Sequence, residues 1–88
     1  MNEPTNLTVA GQYISILPEV YRIEASSDIS REESKRQILA LAMKALQKAK
    51  TLSFDKHRMD LLKCRTDKDI VRLLEKTVEK GRKYTQNG

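Results

Sequence analysis

The 88-residue chain holds one cysteine, one histidine, two prolines, three glycines and no tryptophan. Each scarcity removes something. A lone Cys64 builds neither an internal disulfide framework nor a multi-thiolate metal site. A reducing, cytoplasmic setting is therefore expected, with pairing between chains through Cys64 left open. So few glycines and prolines cannot supply the turn that an all-β fold needs roughly every 8–12 residues. No apolar run approaches the roughly 18 residues of a membrane span. Met1-Asn2-Glu3-Pro4-Thr5 lacks the basic and apolar regions of a secretory signal, so none is expected. Aromatic side chains are only 5% of the chain, which argues against a binder that stacks single-stranded bases.

Catalytic groups are equally sparse. His57 is the one histidine, set between Lys56 and Arg58, whose charges disfavour its protonation. Even on a continuous helix, Cys64 lies about two turns from it. That is beyond the hydrogen bond a Cys–His pair requires, and Cys64 reads as a small residue filling a helix end. Neither a Gly-rich phosphate loop nor an HExxH or EF-hand pattern occurs. No enzymatic activity, cofactor or metal is expected.

What the chain does have is helical periodicity, in one domain with one modest core. Residues 1–7 read as a flexible tail, 8–84 as a single helical domain and 85–88 as a frayed end. Val9, Tyr13, Ile16, Val20 and Ile23 follow a 4-3-4-3 spacing, the stripe of a helix over about 8–24. Ala10, Ile14, Leu17 and Tyr21 widen that stripe. Pro18 lies inside it and predicts a kink. In the alternative, residues 12–17 form a short strand and helix begins at Pro18.

Ser30-Arg31-Glu32-Glu33 is a capping box, with Ile29 at the hydrophobic-staple position. It predicts a helix over 31–50 whose apolar face is Ile38, Leu39, Leu41, Ala42, Ala45, Leu46 and Ala49. The small Ala42, Ala45 and Ala49 invite a close neighbour. Ser53 is a candidate cap for a third helix over 54–63, with Phe54, Met59, Leu61 and Leu62 as core candidates. Thr66-Asp67-Lys68-Asp69 is a second capping box, weaker because aspartate reaches less far. It opens a helix over 67–83 with Ile70, Val71, Leu74, Thr77 and Val78 inward and Leu73 beside them. Asp67 and Asp69 suit the positive end of its dipole. The expected fold is an all-α, four-helix bundle-like domain with short links.

Three segments resemble parts of known families. Ile16-Leu17-Pro18-Glu19-Val20 followed by Ser30-Arg31-Glu32-Glu33 resembles the strand–helix–helix outline of ribbon–helix–helix repressors. Asp28 to Glu33 with the alanine-rich helix resembles a segment of helical bacteriocin immunity proteins. Met59, Leu61, Cys64, Thr66, Glu75 and Lys76 resemble positions in Hha-type nucleoid modulators. Each resemblance covers a third of the chain or less, on generic helix residues, so none transfers a functional residue.

Charge supplies the functional candidates. Seventeen basic against twelve acidic residues give a net charge of +5. Residues 1–30 hold Arg22 against Glu3, Glu19, Glu24 and Asp28, so the positive charge lies almost entirely beyond Ser30. Lys68, Arg72, Lys76 and Lys80 recur every four residues on one face of the last helix, and Lys83 continues it. Such a ladder grips successive phosphates by releasing their counterions. It also reads as a solvated face paired with Asp69, Glu75 and Glu79. Lys56, Arg58, Lys63 and Arg65, with His57, form a second basic cluster that one turn can join to the ladder, in the outline of a helix-turn-helix.

The first helix is the other candidate surface. Tyr13, Ile16, Leu17, Val20 and Tyr21 are candidates for contact with a protein partner or a second copy of the chain. The expected function is a non-enzymatic small regulator that binds nucleic acid through its basic helical face. The alternative is an adaptor, inhibitor or immunity-type protein that docks through a helix surface.

Overall fold

The periodic stretch that opens the chain forms one helix, α1, over Thr5–Ala25. Helices α2 (Arg31–Ala49), α3 (Phe54–Lys63) and α4 (Asp67–Asn87) follow. The computed structural model describes residues 5–87, with side chains from 9 to 83. Among them there is no strand, and the fold is the all-α, bundle-like one that the periodicity predicts. Of the expected tail over 1–7, residues 1–4 lie outside the described residues, as does residue 88, and 5–7 belong to α1. Helix α1 begins three residues earlier than its spacing suggests, and α4 runs to Asn87.

Residues 12–17 are helical, which overturns the alternative of a short strand and with it the strand–helix–helix outline. The helix tolerates Pro18 for a physical reason. Proline has no amide hydrogen to give the carbonyl of Ile14. Ile14 and Pro18 both face solvent, where water can serve that carbonyl.

Three long helices enclose the core. Helix α1 lies against both α2 and α4, and these two touch each other. Helix α3 leans on α2 and meets α4 only lightly. Val9, Tyr13, Val20 and Ile23 of α1 pack with Ile38, Ala42, Ala45, Leu46 and Ala49 of α2 and Ile70, Val71, Leu74 and Val78 of α4. The three alanines on the inner side of α2 are buried, as their spacing predicts, while Ala40 is exposed. Helix α3 contributes one fully buried side chain, Leu61. Two of the other expected core residues of α3 are corrected: Met59 and Leu62 are 50% and 49% exposed. Phe54 is half-buried and packs against the core. A ten-residue helix on the flank of three longer ones has one side to bury, and Leu61 occupies it.

The helix ends use the predicted residues in unequal ways. Ser30 Oγ accepts from the Glu33 amide at 3.0 Å. The Glu33 carboxylate does not return to Ser30. It accepts from the Arg36 guanidinium and the Gln37 amide instead. The box at Thr66, expected to be the weaker, is complete. Thr66 Oγ1 accepts from the Asp69 amide at 3.1 Å, and Asp69 Oδ2 accepts from the Thr66 and Arg65 amides at 3.2 Å. Ser53 makes no side-chain cap; its amide donates to Thr51 Oγ1.

A buried polar junction ties these ends together. Asp67 is 2% exposed, yet its carboxylate is fully engaged. Oδ2 accepts from Arg31 Nη1 and from the buried Ser34 hydroxyl, each at 2.8 Å, and Oδ1 accepts from the Lys68 amide at 2.8 Å. Arg31 also donates to the Glu24 and Ser26 carbonyls at 3.0 Å, at the end of α1. One guanidinium therefore joins the carbonyl end of α1, the first turn of α2 and the amide end of α4. The Arg31 charge suits the carbonyl end of α1, and the Asp67 charge suits the amide end of α4.

Asp67→Ala leaves the Ser34 hydroxyl unsatisfied and the guanidinium without its ion-pair partner. It should lower stability by ~2–4 kcal/mol, read from the urea midpoint at constant m. Cutting the exposed Arg36–Glu33 pair with Arg36→Ala should leave the midpoint almost unmoved. At Gly11, inside α1, an added Cβ meets nothing within 4 Å. Gly11→Ala should raise stability by about 0.5–1 kcal/mol in the same assay.

Candidate nucleic-acid interface

Two stripes of side chains face each other across the α3–α4 angle. On α3, Lys56, Asp60 and Lys63 recur at helical spacing beside the buried Leu61. On α4, Asp69, Arg72, Lys76 and Lys80 do so beside the Ile70–Leu74–Val78 stripe. They meet because α3 and α4 are joined by only three residues and diverge from that link. The outcome is a cleft of about 460 Å³ lined by Asp60, Lys63, Cys64, Asp69, Arg72, Leu73 and Lys76. A smaller cavity of about 120 Å³, lined by Lys56, His57, Asp60, Leu73, Lys76, Thr77 and Lys80, shares Asp60, Leu73 and Lys76 with it.

The two basic clusters are thus brought to one place in part. Lys56 and Lys63 of α3 join Arg72, Lys76 and Lys80 of α4 around the cleft. Lys68 departs from the ladder, its ammonium 3.5 Å from Glu24 Oε2 at the end of α1. Arg58, Arg65 and Lys83 are exposed and line neither space. The side chain of Tyr84 lies outside the described residues.

Two of the three acids expected to neutralise the ladder, Asp69 and Glu75, are engaged elsewhere. Asp69 caps α4. Its carboxyl is held below the usual range by the Arg65 and Thr66 amides first, then by the Thr66 hydroxyl and Arg72. Glu75 accepts from the Tyr21 phenol at 2.6 Å, an α1–α4 contact that raises the phenol's pKa. The ion pairs among the described residues are Arg22–Glu19, Arg31–Asp67, Arg36–Glu33 and Lys68–Glu24. None of them uses Arg72, Lys76 or Lys80.

Three titratable groups in this part of the fold, His57, Cys64 and Tyr13, have shifted proton affinities. Burial is the main cause that lowers the His57 pKa. Lys56 and Lys80 add to it and Asp60 opposes it. The sequence assigns this effect to Lys56 and Arg58; the structure assigns it to burial and puts Lys80, from the other helix, where Arg58 was expected. His57 Nε2 is buried and has no hydrogen-bond partner. Cys64 caps α3, its thiol donating to the Asp60 carbonyl at 3.5 Å. Burial, then Asp69 and Asp60, pushes that thiol up against an opposing effect of Lys35, so the thiolate is disfavoured. Burial beside Asp60 and Cys64 pushes the Tyr13 phenol up to about 12.

The candidate protein interface on α1 is dispersed. Tyr13 and Val20 are inside the core, and Ile16 and Leu17 are half covered by it. Tyr21 is exposed and bonded to Glu75. A groove that the sequence did not single out lies between α1 and α2. It measures about 510 Å³ and is lined by Glu19, Ile23, Gln37, Ala40, Leu41, Met43, Lys44 and Gln47. Its sequence signal is the small, exposed Ala40, which leaves a gap among longer neighbours. Among the described residues no helix is long and apolar enough to cross a membrane.

His57 binds a proton less readily in the fold than in the unfolded chain. Stability should therefore fall as pH drops through the unfolded histidine value of about 6.5, where the unfolded chain takes up the proton first. Chemical unfolding at pH values from about 7.5 to about 5.5 should show this slope, and His57→Gln should flatten it.

No protein-family model matches the chain, and neither does any curated protein or solved structure.

Proposed function

We propose that the chain is a non-enzymatic regulator, acting in the cytoplasm, that binds nucleic acid along the α3–α4 cleft. The observation that carries this reading is the freedom of Arg72, Lys76 and Lys80. They stand beside one another with no carboxylate at ion-pair distance, facing Lys56 and Lys63 across a cleft. An unpaired row of cations on a solvated face repels itself, and a row of phosphates relieves that repulsion while releasing condensed counterions. Asp67, which as an exposed acid would oppose DNA at the start of α4, is buried against Arg31 and Ser34.

A second reading is favoured by the α1–α2 groove. Its apolar floor of Ile23, Ala40, Leu41 and Met43 suits the side chain of a partner helix laid along it. Such a partner, or a second copy of the chain, would use α2 more than the Tyr13 and Val20 stripe.

Binding to random duplex DNA, followed by anisotropy from about 50 to about 200 mM salt, tests the first reading. Affinity should fall steeply with salt. Arg72→Gln with Lys76→Gln should reduce the slope of log K against log salt by about two. Lys68→Gln, whose ammonium is already turned to Glu24, should change it less. Absence of binding at the lowest salt would overturn the nucleic-acid reading. Sedimentation equilibrium over a wide concentration range tests self-association: a monomer throughout excludes the second copy and leaves a different protein as the groove's occupant.

A further inference from the structure

The turn between α2 and α3 holds an apolar side chain out in water. Lys50 ends α2 in the left-handed conformation, at φ 50°. Thr51 is buried, and its Oγ1 accepts from the Ser53 amide at 3.1 Å and lies 3.0 Å from Ser53 Oγ. Leu52 stands between these two residues and is 97% exposed. A single exposed leucine signifies little. Here two more apolar side chains follow on the helix that the turn opens. Met59 and Leu62, three residues apart on one face of α3, are each about half exposed.

Cations surround this apolar set. Lys56 and Lys63 lie three and four residues from Met59, and Arg58 lies four from Leu62, so each is a neighbour on the helix surface. Lys48 and Lys50 precede the turn, and Arg65 follows α3. All six are exposed, and none takes part in the ion pairs described above. The acids over the same stretch are Asp55, which is exposed, and Asp60, which is half-buried and lines the cleft.

We infer that the α2–α3 turn and the outer face of α3 dock on an anionic lipid surface. Leu52, Met59 and Leu62 enter the headgroup boundary, and the lysine and arginine side chains meet the lipid phosphates. The inference goes beyond the nucleic-acid reading and does not depend on it. That reading uses the cleft between α3 and α4, and none of the three apolar residues lines it.

Two considerations select a bilayer over other occupants. The first is area and shape. A stable protein–protein contact buries roughly 800 Å² on each partner, around a packed apolar centre. Three side chains, two of them half covered, do not supply such a centre. A leucine that is 97% exposed also has no neighbours to form a pocket beside it. A fluid bilayer needs no matching pocket, because it closes around the apolar group that projects into it.

The second is charge. Apolar side chains interleaved with cations complement a surface that is negative at its phosphates and apolar just beneath them. The lysine and arginine stems lie along the apolar layer while their heads reach the phosphates. Nucleic acid supplies the phosphates but no apolar layer to receive Leu52. Asp55 opposes the contact, and its removal is therefore a further check on it.

The test uses the full chain with vesicles of phosphatidylcholine alone, or with about 30% phosphatidylglycerol, at about 0.1 M salt. Co-sedimentation should show binding to the anionic vesicles and little to the neutral ones. Leu52→Ser should weaken that binding roughly tenfold. Arg58→Gln and Arg65→Gln should each weaken it about fivefold, and Asp55→Asn should strengthen it roughly two- to fivefold. Leu52 is almost wholly in water, so Leu52→Ser should leave helix content by circular dichroism and duplex binding unchanged. The chain has no tryptophan, so Leu52→Trp places a single emitter at the turn. Its emission should move to shorter wavelength on anionic vesicles.

Failure to bind anionic vesicles overturns the inference. Binding indifferent to Leu52→Ser, with an unmoved Leu52→Trp emission, also overturns it, since only the adhesion of a cationic chain is left. Self-association that Leu52→Ser abolishes assigns the face to a second copy instead. Vesicle binding that falls in Leu52→Ser while duplex binding persists supports a lipid face separate from the cleft. Loss of both overturns that separation.

Discussion

Everything in this fold is oriented by the junction in which Arg31 meets Asp67. A carboxylate removed from water is tolerated only when its oxygens are satisfied and its charge is answered. Asp67 achieves both with one guanidinium, one buried hydroxyl and one backbone amide. The same guanidinium donates to the Glu24 carbonyl at the end of α1 and to the Ser26 carbonyl just beyond it. The three helices that make the core therefore share a fixed point, and the apolar stripes of α1, α2 and α4 converge from it. Alanines 42, 45 and 49 allow the approach, and the larger Tyr13, Ile38, Leu46, Ile70 and Leu74 fill the interior between the helices.

The junction also decides the electrostatics of the outer face. It withdraws Asp67 from the surface at the start of α4. The capping box uses Asp69, and Tyr21 reaches across from α1 to Glu75. Each acid that local spacing assigns to the cationic ladder has a structural partner elsewhere, save Glu79. The ladder is left with an excess of positive charge, and α3 places Lys56 and Lys63 opposite it. The position of α3 follows from its own composition. With Leu61 as its one fully buried residue, it anchors on α2 and remains splayed from α4, and the splay is the cleft.

Much of the architecture was legible in the sequence. The 4-3-4-3 spacing over Val9–Ile23, the Ser30 box, the alanine spacing in α2 and the Thr66 box mark four helices whose limits agree closely with those observed, apart from the outer ends of α1 and α4. The candidate site was legible as two clusters but not as one cleft with particular members. Lys63 and Arg65 look equivalent in sequence, yet only Lys63 lines the cleft. Lys68 looks like the first rung of a ladder and is bound to Glu24. Met59 and Leu62 look like core and are half exposed. Ser34 has no pattern to mark it, because its role is to meet a residue 33 positions away.

The division between these two kinds of information is one of range. Periodicity, caps and dipole preferences act over three or four residues, and they are written in the sequence as spacing. They determined that the chain is helical, where each helix runs and which side of each is apolar. Partner choice for a polar group depends on what packing brings within about 3 Å, and for Asp67, Glu75 and Lys68 the chosen partners come from other helices. Burial is also collective: a leucine or a histidine is inside only if a neighbouring helix covers it. The tertiary structure alone therefore decided that Asp67 is a core residue, that Arg72, Lys76 and Lys80 form no ion pair, and that His57 Nε2 is buried without a hydrogen-bond partner.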